Sequence, residues 1–187
     1  HASAPLDPEL TTLLNSPTWS TGKFNGALTL NGTNQSVDTG TYDVGNALTI
    51  TAWINLSASA SSCQTIFAND PRGGTSNGFS FYVDTYQTSD RRLYFATGNG
   101  TIGSAAYSVS GAVPTGVWTF VAVTVNRTTG TVRFYVNGAD VTSRGRLLVT
   151  TYATNQSNRI GAFTNNALLF NGSIDEVSLY NSLLTSD

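Results

Sequence analysis

The sequence predicts an all-β fold, a sandwich of two antiparallel sheets, and three observations carry the prediction. Apolar and polar residues alternate with a two-residue period through most of the chain, as half-buried strands require. Clusters of Gly, Asn, Ser and Thr interrupt that alternation at short, regular spacing. No amphipathic helical pattern lies between the strand-length runs, so the sheets have to cover each other. With 187 residues, 40% of them hydrophobic, one such sandwich has enough material for a core.

The elements follow in order. Residues 27–30 and 36–39 are short strands around the turn Asn31-Gly32-Thr33-Asn34. Ala47–Leu56 alternates, with Leu48, Ile50, Ala52 and Ile54 facing one way and Thr49, Thr51, Trp53 and Asn55 the other. Gln64–Ala68 comes next, then 78–84 and 91–97. In the last two, Phe79, Phe81, Val83, Leu93 and Phe95 make one face, and Ser80, Tyr82, Asp84, Arg92 and Tyr94 the opposite one. Residues 117–126 and 131–137 are the strongest strands, joined through Arg127-Thr128-Thr129-Gly130, a connection of hairpin length. Asn137-Gly138 opens another turn into 140–143, and 159–163 and 173–180 complete the set. A lead-in over 1–21 carries the one helical segment expected, at 7–14, and the jelly-roll domain is expected over 22–187. Stretches 57–62 and 70–77 read as Ser/Gly-rich loops of that domain.

Composition narrows the function. Only 11% of residues are charged, against ~25% in an ordinary soluble domain, so the surface is built from Thr, Ser, Asn, Gln and Gly. A formal charge of −2 offers no basic footprint for nucleic acid and no polybasic patch for anionic lipid. No apolar run approaches the ~20 residues of a membrane span. The single cysteine, Cys63, permits no intramolecular disulfide, which fits a bacterial surface, secreted or virion setting better than an animal extracellular one.

Short signatures in a fixed order carry a resemblance. Gly22-Lys23-Phe24-Asn25-Gly26-Ala27-Leu28 precedes Leu30-Asn31-Gly32 and then Ala52-Trp53-Ile54. Gly116-Val117-Trp118-Thr119-Phe120-Val121-Ala122-Val123 and Phe134-Tyr135-Val136-Asn137-Gly138 come later. Arg159-Ile160-Gly161 and Phe170-Asn171-Gly172-Ser173-Ile174-Asp175-Glu176-Val177 close the series. In this order, over residues 22–184, the chain resembles the laminin G-like and pentraxin group of concanavalin A-like domains. The resemblance implies two antiparallel sheets stacked as a jelly roll, one concave and one convex. Most of these residues also have a structural reading: Trp53 and Trp118 as sheet packing, Ile174 and Val177 as packing on the last strand.

Catalysis finds little support. The only histidine, His1, is terminal, and a Ser-His-Asp or Cys-His arrangement needs an internal one. Some concanavalin A-like domains are glycoside hydrolases with two Glu on one strand, but Glu9 and Glu176 are the only glutamates here and stand far apart in the chain. The sequence therefore predicts no enzyme. Many relatives carry a structural calcium ion, and the resemblance places its ligands at Asn31, Asn34 and Asp175, oxygen donors of the kind calcium takes. The alternative makes Asp175 a hydrogen-bonding anchor for the N-terminal segment.

Tyr82, Arg92, Tyr94, Arg133 and Tyr135 share the parity opposite to the core and are expected on an outer sheet face, where aromatic, donor and acceptor groups suit a sugar. Trp19 and the 70–77 loop are further candidates. Two functions are open at this point: a non-catalytic carbohydrate-binding module of a larger secreted or surface protein, and a structural or protein-interaction jelly roll of an adhesin or phage particle.

Overall fold

A computed structural model describes residues 12–60, 62–71, 75–86 and 90–185. Fifteen strands run along them: β1 (Thr12–Leu14), β2 (Thr18–Thr21), β3 (Gly26–Asn31), β4 (Ser36–Asp43), β5 (Ala47–Leu56), β6 (Gln64–Ala68), β7 (Gly78–Val83) and β8 (Leu93–Gly98). After them come β9 (Gly103–Ser108), β10 (Trp118–Asn126), β11 (Thr131–Val136), β12 (Ala139–Asp140), β13 (Thr142–Arg144), β14 (Asn155–Ile160) and β15 (Asn171–Tyr180). An eight-stranded sheet has the order β1-β4-β14-β6-β7-β8-β9-β13, and a seven-stranded sheet the order β12-β11-β10-β5-β15-β3-β2. The strands pair antiparallel throughout both sheets, and the sheets stack as a jelly-roll sandwich.

The two-residue alternation decides what lies between the sheets. Leu48, Ile50, Ala52 and Ile54 of β5 meet Phe79, Phe81 and Val83 of β7 and Leu93 and Phe95 of β8 in one core, all buried. Phe79 stacks on Phe67 at 6.1 Å and on Phe95 at 5.2 Å, and Tyr152 meets it edge-on at 6.0 Å. Each such side chain contributes about 1.5–3 kcal/mol by leaving water.

Several elements differ from the sequence expectation. Thr12–Leu14, at the end of the expected helix, is a strand paired with Ser36–Asp38 of β4. Positive φ at Asn15 and Ser16 then turns the chain into β2. Residues 7–11 lie outside the described residues. Where described, the lead-in supplies an edge strand to each sheet. Residues 140–143 form two strands, β12 on one sheet and β13 on the other. The strand expected over 159–163 begins earlier, at Asn155, and ends at Ile160, where Gly161 (φ 81°) turns the chain.

Candidate glycan-binding face

On the eight-stranded sheet the outward parity of β7, β8 and β9 lines up three phenols. Tyr82 stands opposite Tyr94 across β7 and β8, and Tyr94 opposite Tyr107 across β8 and β9. The Tyr82 and Tyr94 rings are 5.3 Å apart and within 6° of parallel. Parallel rings that close cannot lie side by side in one plane, so they stand on the sheet face to face, offset, with Tyr82 the more deeply buried of the two. Tyr107 continues the row 5.3 Å from Tyr94, tilted by 42°. None of the three hydroxyls bonds another protein group among the described residues.

Cations close one end of the row. The Arg92 guanidinium lies 5.1 Å from the Tyr107 ring centre and that of Arg144 lies 6.0 Å from it, both in cation–π range. Arg92 Nε also sits 2.6 Å from Asp90 Oδ2, yet it makes no well-directed hydrogen bond, so this is a charge contact with an N–H aimed elsewhere. At the other end, burial raises the Tyr82 hydroxyl far above its ordinary range, with the neighbouring Cys63 and Asp84 adding to the shift, so it remains a neutral donor. Burial followed by Asp84 pushes the Cys63 thiol up to about 12, which keeps it protonated and a poor nucleophile at neutral pH.

Beside the row runs a strip of small side chains. Ala68, Ser80, Ala96 and Ala105 follow one another across β6 to β9. Ala96 and Ala105 are partly exposed, whereas Ser80 is 0% exposed and its hydroxyl has no partner. The strip is thus open over β8 and β9 and covered over β6 and β7. The chain after β14 is tied to β6 and its extension, with Gly161 N–H donating to Ile66 O, Thr164 N–H to Asp70 O and the Thr65 hydroxyl to Leu168 O. A chain lying along β8 and β9 would meet phenol hydroxyls on one side and no bulky side chain beneath it.

The structure divides the five residues the sequence grouped. Tyr82, Arg92 and Tyr94 lie together, but Arg133 and Tyr135 belong to β11 and emerge on the outer face of the other sheet. Parity alone cannot tell which sheet a strand joins, and this separated them. Tyr107 and Arg144 escaped the sequence reading, because Gly-Ser-Ala-Ala-Tyr-Ser has no large apolar residue to mark its inward face. Trp19 is 68% exposed on the edge strand β2, away from the tyrosine row. Of the 70–77 loop, residues 72–74 lie outside the described residues.

The three residues expected around calcium do not converge. Asn31 Oδ1 accepts the N–H groups of Thr33 (2.9 Å) and Asn34 (3.1 Å), and Asn31 Nδ2 donates to Asn34 Oδ1 at 2.9 Å. These amides complete their own turn. Asp175 lies four residues along β15 from Asn171, the partner of Asn31, so about 13 Å separates them along the strand. Its Oδ2 accepts Phe24 N–H at 3.0 Å and its Oδ1 accepts Glu176 N–H at 2.8 Å. Asp175 thereby holds the 22–25 turn against Trp53, over which Lys23 Nζ sits at 4.7 Å and Phe24 packs edge-on at 6.0 Å. As arranged, the set fits an anchor and not a single cation cage. No group of three or more His, Cys, Asp or Glu suited to a metal occurs among the described residues.

Comparison with known proteins places this geometry. The model of a laminin G family, described as the concanavalin A-like lectin/glucanases superfamily, matches residues 31–187. A search of curated proteins gives no match. Among solved structures, domain 4 of AbnA, a GH43 extracellular arabinanase from Geobacillus stearothermophilus solved with arabinotriose, is similar at a TM-score of 0.70 and 21% identity, over 94% of this chain and 84% of that one. The sialidase CBM40 of Ruminococcus gnavus, bound to α2,3-sialyllactose, is similar at 0.63 and 16%, over 85% and 91%. A heptameric SAP-like pentraxin from Limulus polyphemus is similar at 0.56 and 17%, over 79% and 69%. At these identities the likeness is one of fold.

Proposed function

The chain belongs to the laminin G-like part of the concanavalin A-like lectin/glucanases superfamily, and from that premise we propose that it is a non-catalytic carbohydrate-binding module of a larger extracellular protein. The observation that carries this reading is the row Tyr82, Tyr94 and Tyr107, in which the unengaged hydroxyls of Tyr94 and Tyr107 stand beside the open part of a strip of small side chains. A glycan laid across β8 and β9 would hydrogen-bond the phenols, with Arg92 and Arg144 marking its end at Tyr107. Because the ring faces are taken up by one another, recognition works through hydroxyls and ring edges and not through a flat stacking platform. The two structural neighbours solved with arabinotriose and sialyllactose support the glycan class without naming this chain's sugar.

No metal takes part in this reading, since the residues that would hold calcium are committed to a turn and to an anchor. A glycan array probed with and without added calcium tests the proposal. We expect binding to at least one glycan under both conditions. Binding to none would leave the structural or protein-interaction role in its place.

A further inference from the structure

We propose that the outer face of the seven-stranded sheet carries a second site, for a single neutral sugar ring, in a groove walled by Phe120, Tyr135 and Leu184. The groove has a volume of about 230 Å³, below the ~300 Å³ at which pockets for drug-sized ligands begin, so it suits one ring and not a chain. Register builds it. Ala122 of β10 stands between Tyr135 of β11 and Thr51 of β5, and its methyl group leaves the depression that larger side chains on either side enclose. Thr124 and Thr49 form the next row of the floor. The chain after β15 supplies the last wall: Leu184 N–H donates to Thr49 Oγ1 at 3.0 Å, and the Thr49 hydroxyl donates to Ser182 O at 2.6 Å.

The ligand class follows from the lining. Thr49 spends its hydroxyl on that chain segment, but those of Thr51, Thr124 and Tyr135 bond no protein group among the described residues. An apolar occupant would bury these hydroxyls without partners, the costly outcome for any polar group. A charged occupant finds no charge in the lining, and the nearby Arg133 is already paired with Asp140 at 3.2 Å. A sugar ring meets both conditions, with C–H surface for Phe120 and Tyr135 and hydroxyls for the floor. The ligand class rests on the carbohydrate reading above, whereas the groove does not. A module with a site on each face would engage two glycan strands at once and gain avidity from their linkage.

Amide chemical-shift mapping by NMR, with D-glucose, D-galactose, D-xylose and L-arabinose each titrated to saturation, tests the proposal. We expect shifts at Thr51, Ala122 and Tyr135 with at least one sugar, retained in Tyr94→Ala and lost in Tyr135→Ala. Thr51→Val removes one hydroxyl at constant shape and should weaken that response about two- to tenfold. It decides the matter if Tyr135→Ala proves unfolded in its spectrum. Shifts confined to the tyrosine row with all four sugars, or groove shifts indifferent to these substitutions, would overturn the second site alone. If neither face responds to these sugars and no glycan binds on the array, both readings fall.

Discussion

Replacing Asp175 separates an anchor from a metal ligand. Asp175 is 6% exposed, and its carboxylate accepts two backbone N–H groups, from Phe24 at 3.0 Å and Glu176 at 2.8 Å. Hydrogen bonds to a charged group are worth about 1.5–3 kcal/mol each. The full sum is not expected, because Phe24 is 53% exposed and its N–H regains water once the 22–25 turn lifts. We therefore expect Asp175→Ala to cost about 2–3 kcal/mol and Asp175→Asn, which keeps one acceptor oxygen, about half as much. Gly22 gives an independent handle: a Cβ there would meet Asp175 Oδ2 at 2.5 Å and Ala27 N at 2.9 Å, so Gly22→Ala should weaken the same contact. Urea unfolding, with and without EDTA, reads all three. Chelation should leave the wild-type midpoint in place. A loss under 0.5 kcal/mol in Asp175→Ala, roughly the noise of a surface change, would refute the anchor. A wild-type midpoint that falls with EDTA while the variant's does not would make Asp175 a metal ligand.

Further expectations concern the backbone and pH. Gly172 holds φ 141° where an added Cβ would run into the Asn55 carbonyl oxygen, so Gly172→Ala should lose roughly 3 kcal/mol or more, read by denaturant unfolding. Burial raises Cys63 and Tyr152 to about 12, from ordinary values of 9.0 and 10.0. Groups raised in the folded state stabilise it below their unfolded values and lose that contribution as pH climbs toward the folded ones. Stability should hold to about pH 9 and then fall, with at most about 1.4 kcal/mol per pH unit from each group and less from the partly exposed Cys63. A thermal melting point unchanged from pH 8 to 11 would contradict this.

What could be read from the sequence depended on side-chain contrast. In Ala47–Leu56 and Gly78–Val83 large apolar residues alternate with polar ones, and the inward faces came out as expected. In Gly103–Ser108 the inward positions are Ser104, Ala106 and Ser108, too small to set a period apart, so the strand that completes the tyrosine row was missed. Asn155–Ile160 begins Asn-Gln-Ser-Asn, a turn-like run. It forms a strand because it pairs along β4 from Asp43 to Val37, and the buried Asn158 adds amide donation to Gln156 O at 2.8 Å and, at longer range, to the Gly40 and Tyr42 carbonyls. Outward parity put Tyr82, Arg92 and Tyr94 on one face, and the structure has them together on the eight-stranded sheet. Parity could not show that Arg133 and Tyr135 sit on the opposite sheet, because sheet membership depends on long-range pairing such as β10 with β5 and β14 with β6.

The affinity of Tyr94→Phe for the strongest glycan of the array, set beside wild type and Tyr94→Ala, tests the central claim most directly. Phenylalanine keeps the ring stacked on Tyr82 at 5.3 Å and removes only the hydroxyl. Since recognition is assigned to the outward hydroxyls, Tyr94→Phe should bind about two- to tenfold more weakly with an unchanged melting point, and Tyr94→Ala more weakly still. Wild-type affinity in both variants would contradict the tyrosine row as the binding site, and wild-type affinity in Tyr94→Phe alone would contradict recognition through its hydroxyl.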